Sequence, residues 1–330
     1  MPHSTDPRVL HYHDCADVGL ALVTESRRQG FDWDYLSAQD VIPIRPANPI
    51  ASKLLTARTL VRNNRRVAAA EIVHAHYAMV VPILRSIYMP KRPYFLTLHG
   101  TDIRTHWANP AMRPTVQACI DDAIKVYYTN LDTRENAETA RADAEYMPAF
   151  IDPSRLSPWL QQSNRIIFLS RWEDNKGASG NIELAAELAR LLPHVTLEGL
   201  DWGRYAPQAR AAGVRLLPRM NHGDYARWVA SGTIGIGQAN PMLGVSEFEA
   251  MATGLPVAVL GSRIPRPDDG SVPPALEGTL SEVVEQIVLC LDDPVGYAAA
   301  LNAKDWVLDH HLPGPYVEKL QAEYRSALSR

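Results

Sequence analysis

Short apolar runs alternate with helix-like patterns along the whole chain. In the first half, the predicted strands are Arg8–Tyr12, Phe31–Leu36, Glu71–Ala75, Tyr94–Leu98, Ile124–Tyr128 and Tyr146–Phe150. In the second half, they are Arg165–Leu169, Val195–Glu198, Val214–Leu217, Thr233–Gly237 and Pro256–Leu260. Most of these runs are followed by apolar residues at helical intervals, such as Ile182, Ala185, Ala189 and Leu192. Alternation of this kind predicts an α/β fold with two Rossmann-like domains, each a parallel sheet with helices on both faces.

The length of 330 residues exceeds that of most single domains, so two domains of about 150 residues are expected. Residues Pro148–Pro158 have the turn-rich composition of a linker and precede a new strand. We therefore expect an N-terminal domain at 1–155 and a C-terminal domain at 156–330. A final helix is predicted at about 316–328, after a proline-broken segment, and it could pack back on the N-terminal domain.

Composition and charge narrow the function classes. The net charge of −4 and the isoelectric point near 6.3 give no general attraction for nucleic acid. Cys15, Cys119 and Cys290 lie far apart without C-x-x-C spacing, so neither a disulfide framework nor a zinc cage is predicted. The N-terminus lacks the basic-then-apolar order of a secretory signal, and no run approaches the roughly 18 apolar residues of a membrane span. These features predict a cytoplasmic protein.

The segment Pro241–Val257 predicts a loop, a short helix, a glycine stop and a buried strand. A helix that begins beside a glycine turn presents unpaired amides and the positive end of its dipole, which suits a phosphate. Glu249, in the first turns of this helix, can accept hydrogen bonds from sugar hydroxyls. Ser246 and Glu249 also show the spacing of a capping box, in which Glu249 would serve only its own helix. The two roles are not exclusive.

Polar residues follow several predicted strands, at the edge where open parallel sheets bind ligands. They are His11, His13, His74, His76, His99, Gly100, Thr129, Asn130 and Arg171. If the two domains face each other edge to edge, these residues line one cleft, and one domain takes the nucleotide half of a donor while the other takes the acceptor. His74 and His76 are predicted to be structural. A metal site is not predicted, because no carboxylate or cysteine joins these histidines at ligand spacing.

Five blocks, in order, resemble family 4 of the retaining glycosyltransferases with the GT-B fold, over nearly the whole chain. They are Ile72–His76, Phe95–Asp102, Met147–Pro158, Ile167–Gly177 and Glu249–Val257. The second is similar to the family's Leu-His-Gly-x-Asp block, the fourth to its Arg-x4-Lys-Gly element, and the last to its nucleotide-contacting Glu-Ala-Met-Ala block. The resemblance implies transfer of a sugar from a nucleotide-diphosphate donor to an acceptor hydroxyl, with retention of the anomeric configuration. It also implies that the transfer needs no metal ion and proceeds by front-face attack.

The resemblance also assigns roles to residues of this sequence. Catalytic roles fall to His99, Arg171, Lys176 and Glu249. Donor contacts fall to Gly19, Gly100, Arg219, Met220, Met242, Leu243, Gly244 and Val245. Physical chemistry favours Arg171 and Lys176, because fixed positive charges beside a departing diphosphate stabilise the transition state. The C-terminal domain would bind the nucleotide sugar, and the N-terminal domain the acceptor, which could be a glycan, a lipid-linked sugar or a small molecule.

Two departures from the family pattern keep alternatives open. Pro241 occupies the position, eight residues before Glu249, where the family usually has a second glutamate. The loop Asp14–Gly19 holds one glycine and two acids where the family normally has a pair of glycines. One alternative is a non-catalytic GT-B partner that binds a nucleotide sugar or assists another transferase. Another is a nucleotide-sugar epimerase of the same fold.

A basic helix is predicted at about 52–66. Its charges are Lys53, Arg58, Arg62, Arg65 and Arg66, and they are interleaved with Leu54, Leu55, Leu60 and Val61. Such a pattern can lie on anionic lipid, which would place the protein peripherally on the inner membrane face. The alternative is a solvated face over an apolar seam that packs on the core.

Overall fold

The structure, a computed structural model, describes residues 6–15, 17–161 and 164–329. These residues form two units. The first contains the described residues up to Phe150 together with those from Pro313 onward, and the second is Ile151–Leu312. The boundary thus lies at Phe150, slightly before the predicted position near residue 155. The predicted final helix belongs to the first unit.

The first unit is built on a parallel sheet of six strands. These are β1 (Val9–Asp14), β2 (Trp33–Ser37), β3 (Ile72–His76), β4 (Tyr94–Leu98), β5 (Val126–Tyr128) and β6 (Glu145–Tyr146), in the order β2-β1-β3-β4-β5-β6. Its helices are α1 (Val18–Arg28), α2 (Ala38–Val41), α3 (Pro49–Ala69), α4 (Val81–Leu84), α5 (Arg113–Asp121) and α6 (Arg134–Ala140). A π-helical segment spans Thr101–His106, and single 3-10 turns span Ala78–Val80 and Leu131–Thr133.

The second unit has the same architecture. Its strands are β7 (Arg165–Phe168), β8 (Thr196–Leu200), β9 (Arg215–Leu217), β10 (Ile234–Ile236), β11 (Val257–Leu260) and β12 (Leu276–Gly278), in the order β12-β11-β10-β7-β8-β9. All are parallel. Its helices are α7 (Ala178–Leu191), α8 (Ala206–Ala211), α9 (His222–Ala230), α10 (Val245–Thr253), α11 (Leu280–Asp292), α12 (Pro294–Leu301) and α13 (Ala303–His310), with 3-10 turns at Pro153–Arg155 and Asp174–Lys176. The predicted pair of Rossmann-like domains is confirmed.

Two strands differ from the prediction. The predicted strand Tyr146–Phe150 is wrong beyond its first residue, because β6 ends at Tyr146. Met147 donates one further backbone bond to Tyr128, and Pro148 then has no N–H with which to extend the ladder. β12 was not predicted, since its three residues are too few to show an alternating pattern.

Helix α3 follows the expected apolar seam only in part. Its buried positions are Thr59, Asn63 and Val67. Leu54 is 67% exposed and Val61 52% exposed. Leu60 packs against the core as the expected seam requires, whereas Leu54 and Val61 face outward, so part of the apolar surface of α3 is exposed.

The final helix, α14 (Gly314–Leu328), completes the core of the first unit. Tyr324 is fully buried and meets Phe95 edge to face, with ring centres 4.8 Å apart. Its hydroxyl group is hydrogen-bonded to Nδ1 of His74 at 2.5 Å. One turn earlier, Gln321 accepts the indole N–H of Trp33 at 2.9 Å. The helix therefore supplies both apolar contacts and the partner of a buried imidazole.

Replacing Tyr324 by alanine should strongly destabilise the first unit. The substitution leaves a cavity under α14 and removes the partner of His74, and we expect a loss of about 3–5 kcal/mol in the free energy of unfolding. Urea titration followed by circular dichroism measures this loss. Tyr88→Ala is the matched control, because Tyr88 is 62% exposed and its loss should cost less than about 0.5 kcal/mol. Equal effects of the two changes would contradict the packing described for α14.

Candidate functional site

Each sheet contains one switch point, where the connections that follow two neighbouring strands lead to opposite sides of the sheet. In the second unit these strands are β7 and β10, and in the first unit they are β1 and β3. Ligands of open α/β sheets bind in the crevice outside the carboxyl ends of such a pair, because the two following segments diverge there. The predicted site residues fall at these two places or beside them.

The segment after β7 carries two of the predicted catalytic residues. Arg171 lies three residues beyond the strand, and its Nε is buried without a hydrogen-bond partner among the described residues. Lys176 ends the 3-10 turn, and its Nζ donates to Oε1 of Gln238, in the loop after β10, at 2.7 Å. Gly177 has a φ of 69°, and a Cβ there would lie 2.4 Å from the carbonyl oxygen of Ala239. Glycine is thus required for the two loops to approach each other.

A buried carboxylate organises the start of α10. Glu247 is 2% exposed and accepts bonds from Oγ of Ser170 at 2.8 Å, from N of Gln238 at 3.0 Å and from N of Gly244 at 2.9 Å. The helix is therefore capped by Glu247 with Gly244 as the N-cap residue. The capping box suggested for Ser246 and Glu249 is wrong, because Ser246 already lies inside the helix.

Glu249 is available for another role. It lies in the second turn of α10, where its Oε1 is 2.8 Å from Nε2 of His222. Its side chain keeps 12% of its surface exposed. His222 begins α9, and the sequence analysis did not single it out. A partly exposed carboxylate oriented by an imidazole can accept hydrogen bonds from hydroxyl groups of a ligand.

The predicted donor-binding stretch Met242–Val245 leads into the N-terminus of α10. Nε2 of Gln238 donates to the carbonyl oxygen of Met242 at 2.6 Å, while Leu243 is buried in the core. A Cβ placed on Gly244 would lie 4.0 Å from Nζ of Lys176. The ammonium group and the first amides of a nine-residue helix therefore adjoin each other, and both favour a negatively charged group.

An exposed tryptophan at the neighbouring strand end was missed from the sequence. Trp202 follows β8, is 40% exposed, and its carbonyl oxygen accepts the N–H of Trp172 at 2.9 Å. The guanidinium groups of Arg219 and Arg171 lie 4.3 Å and 5.6 Å from its ring centre. Met220, next to Arg219, is partly buried against the core. An aromatic residue two positions after a strand was the available signal.

Three histidines form a hydrogen-bonded chain in the first unit. Nδ1 of His11 is 3.0 Å from Nε2 of His76, and Nδ1 of His76 is 3.1 Å from Nε2 of His99. His74 lies beside this chain and engages Tyr324 and Thr97 through its two ring nitrogens, as a structural residue does. His76 is likewise buried with both ring nitrogens hydrogen-bonded, as expected of a structural residue, and it joins His11 in the interior of the sheet to His99 at its edge.

The turn after β4 holds His99 in place. Asp102 is fully buried and accepts backbone N–H groups of Ala78, His99 and Ile103 at 3.0–3.1 Å. Gly100 has a φ of 102°, and a Cβ there would lie 2.3 Å from Nδ2 of Asn130. Gly100 thus has a conformational role, whereas its predicted donor contact stays a prediction.

A carboxylate reaches the same cluster, contrary to the sequence-based expectation. Asp14 is buried, and its Oδ2 accepts the N–H of Leu20 at 2.9 Å. One ligand atom each from Asp14, His76 and His99 lies within 4.8 Å of the others. A Cβ on Gly19 would lie 2.8 Å from Nε2 of His76, so the start of α1 also packs on this cluster. The argument that no carboxylate joins these histidines is therefore wrong.

Burial determines the charge state of the histidines. Loss of hydration lowers the pKa of His76 to about 3, and it lowers the pKa values of His11, His74 and His99 in the same direction. Repulsion between neighbouring rings adds to the effect. The rings are consequently neutral at pH 7, each with one donor and one acceptor nitrogen. Burial also raises the pKa of Asp102.

Comparison with solved structures shows which fold these sites belong to. A sucrose-phosphate synthase from Thermosynechococcus elongatus is 15% identical, with a TM-score of 0.67 over 98% of this chain and 99% of its own. The Anabaena protein HepE in complex with UDP-glucose is 15% identical, with a TM-score of 0.68 over 97% and 100% of the two chains. A Listeria monocytogenes protein described as a UDP-N-acetylglucosamine 2-epimerase is 13% identical, with a TM-score of 0.52 over 98% and 97%.

The chain therefore has the GT-B fold. No protein-family model and no curated protein matches the sequence. At these identities the similarity establishes the fold alone, and the choice of activity depends on the site residues. Among the described residues, none of the helices combines the length and the apolar character needed to cross a bilayer.

The buried histidines should make the first unit sensitive to mild acid. The unfolded chain takes up protons near the ordinary histidine pKa of 6.5, whereas the folded rings do not. The free energy of unfolding should therefore fall as the pH drops from about 6.5 toward the folded pKa of about 3, by about 1.4 kcal/mol per pH unit for each ring.

Urea titrations at pH 7.5, 6.0 and 5.0 measure this dependence. His76→Gln should lower stability at pH 7.5 and show a shallower loss toward pH 5.0. His194→Gln, at an exposed position, should leave the profile unchanged. Equal stability of the unmodified protein at pH 7.5 and pH 5.0 would contradict the neutral, buried state of the rings.

Proposed function

We propose that the protein is a retaining glycosyltransferase of the family 4 type, which takes a sugar from a nucleotide-diphosphate donor. One observation carries the proposal: Lys176 and the N-terminus of α10 adjoin each other at the switch point of the second sheet. UDP-glucose bound to HepE, a protein of the same fold, favours the same class of donor. The second unit would bind the donor.

The diphosphate is the part of the donor that these groups suit. The ammonium of Lys176 and the first amides of α10 would bind its oxygens, since both present N–H donors and positive charge. The guanidinium group of Arg171, on the segment after β7, would supply further N–H donors. Charge on the departing diphosphate grows as the glycosidic bond breaks, so these fixed groups stabilise the transition state. In this proposal they carry the task that a metal ion has in other transferases.

The nucleoside would lie beside this diphosphate position. Glu249, oriented by His222, would accept the ribose hydroxyls. The ring of Trp202, flanked by Arg171 and Arg219, offers a flat surface on which a base can stack. Arg219 and Met220 would meet the base through their backbone, as the family resemblance implies.

The mechanism we propose is front-face transfer. The acceptor oxygen bonds to the anomeric carbon on the side from which the diphosphate departs, and a phosphate oxygen of the donor takes the acceptor proton. A double displacement would need a free carboxylate next to the anomeric carbon. Glu247 does not provide it, because its oxygens already accept three hydrogen bonds inside the protein.

Pro241 affects the choice of sugar more than the binding of the diphosphate. Its carbonyl oxygen accepts the N–H of Ile264 at 3.1 Å, so this position is a fixed part of the loop. Gln238 lies close by in the chain but does not replace the family's glutamate, because both ends of its amide are engaged, by Lys176 and by Met242. Asn240, whose Nδ2 donates to the carbonyl oxygen of Asn175 at 2.5 Å, is the remaining candidate for contact with the sugar.

A panel of nucleotide sugars tests the proposed activity. At least one UDP- or GDP-sugar should raise the melting temperature and be slowly hydrolysed or transferred. Lys176→Ala should lower turnover by about 100-fold, because it removes a charge from the leaving group. Glu249→Gln should weaken binding of the nucleotide. Lys304→Ala and Glu285→Gln change the same residue types at exposed positions of the second unit. They should leave turnover and nucleotide binding unchanged.

The outcomes separate the alternatives. Binding of a nucleotide sugar without turnover would identify a non-catalytic GT-B partner, and interconversion of free donor epimers would identify an epimerase. Absence of any stabilisation by nucleotides or nucleotide sugars would overturn the proposed donor site.

We further propose that α3 brings the protein to anionic lipid. Ile50, Leu54 and Val61 are exposed apolar residues of this helix. Among the described residues, no acidic side chain pairs with Lys53, Arg58 or Arg65, whereas Arg62 and Arg66 pair with Asp40 and Asp34. A helix surface with exposed apolar residues and unpaired basic charges suits a negatively charged membrane surface.

Vesicle sedimentation tests this contact. The protein should bind vesicles that contain phosphatidylglycerol but not neutral phosphatidylcholine vesicles, and binding should weaken as salt is added. Arg58→Gln with Arg65→Gln should weaken binding by about 30-fold, at about 1 kcal/mol per charge. Arg134→Gln, an exposed arginine of α6, is the control. Salt-independent binding, or equal binding by the double variant, would contradict the proposal.

A further inference from the structure

The carboxyl ends of three adjacent strands bring together a ligand set that contains none of the residues assigned to the diphosphate in the second unit. Asp14 ends β1, His76 ends β3, and His99 directly follows β4. β3 lies between the other two strands in the sheet. Because parallel strands end at the same edge, one carboxylate and two imidazoles converge, with a ligand atom of each within 4.8 Å of the others.

The spacing of the two nitrogens fits a metal ion. Nδ1 of His76 and Nε2 of His99 are 3.1 Å apart. Two imidazole nitrogens on a tetrahedral zinc ion, at about 2.0–2.1 Å from the metal, are separated by about 3.3–3.4 Å. Binding an ion would lengthen this separation by about 0.2–0.3 Å and turn both rings by about 35°, so that their lone pairs point at the ion instead of along the line between the nitrogens.

The residues behind the cluster can orient both kinds of ligand. If Nδ1 of His76 gives its lone pair to a metal, its Nε2 carries the hydrogen and donates to Nδ1 of His11, 3.0 Å away. The carboxylate of Asp14 accepts the backbone N–H of Leu20 and is also hydrogen-bonded to the hydroxyl of Tyr35. Outer partners of this kind fix the ring orientation and the carboxylate position in metal sites.

We propose that Asp14, His76 and His99 form a binding site for a divalent transition-metal ion of the zinc type. Two imidazoles and one carboxylate select Zn²⁺ and its first-row neighbours over Mg²⁺ and Ca²⁺, which prefer oxygen ligands. Three protein ligands leave a fourth position for water or a hydroxyl group. An ion bound there engages the lone pair of His99. The proposal rests on residues of the first unit alone, and one of them, His99, is a residue to which the family resemblance gives a catalytic role.

Metal titration of the full-length protein tests the proposal. After treatment with a chelator and dialysis, the protein should take up one equivalent of Co²⁺, seen by its visible absorption, and Zn²⁺ should displace it. Mg²⁺ in large excess should not compete. Asp14→Asn, His76→Gln and His99→Gln should each weaken Co²⁺ binding by about 10-fold or more. His194→Gln removes an exposed imidazole and should leave binding unchanged.

Folding is checked by circular dichroism, so that a loss of binding is not confused with a loss of structure. If the buried His76 variant does not fold, the half-buried His99 variant decides the question. Failure of the unmodified protein to bind Co²⁺ or Zn²⁺ would overturn the proposal. Undiminished binding by folded Asp14→Asn and His99→Gln variants would overturn it as well, since the ion would then lie elsewhere. A nucleotide titration with the same samples reports separately on the second unit.

Discussion

The switch point of a parallel sheet is the constraint on which both candidate sites depend. Where two neighbouring strands lead into connections on opposite sides, the loops diverge and leave polar backbone and side chains accessible at the strand ends. In the second unit this places the segments after β7 and β10 next to each other, and in the first unit it places the ends of β1 and β3 together. Neither site requires a long inserted loop, because the order of the strands alone brings these segments together.

Glu247 shows how the second unit keeps its loops ready for an anion. A buried carboxylate is costly unless it is hydrogen-bonded, and Glu247 meets this requirement with donors from three separate segments. These bonds fix the segments after β7 and β10 and the start of α10 relative to one another. Lys176 adds a further link through Gln238. The amides and the ammonium are thus preorganised, which reduces the entropy cost of binding a diphosphate.

The sequence predicted the fold well because strand and helix periodicities are local and the blocks of the resemblance follow one order. It predicted the site less completely. Glu247 and Glu249 lie two residues apart on one helix, and only the position of the N-cap decides which of them is buried. Spacing along the chain suggested the wrong cap. The sequence analysis did not group Asp14 with His76 and His99, because the three residues belong to different strands. Only the sheet order shows that these strands are neighbours.

The histidine cluster of the first unit is difficult to explain by packing alone. An apolar residue in place of His76 would avoid the cost of burying two polar nitrogens, and the neutral ring recovers only part of that cost through its hydrogen bonds. His74 differs in its partners, because its two nitrogens bond to the hydroxyl groups of Tyr324 and Thr97 within the core. His76 instead connects a buried ring to a half-buried one beside a carboxylate. A chain that leads to the sheet edge is expected where the ring nitrogens bind something other than the protein itself, and a metal ion accounts for both imidazoles and the carboxylate at once.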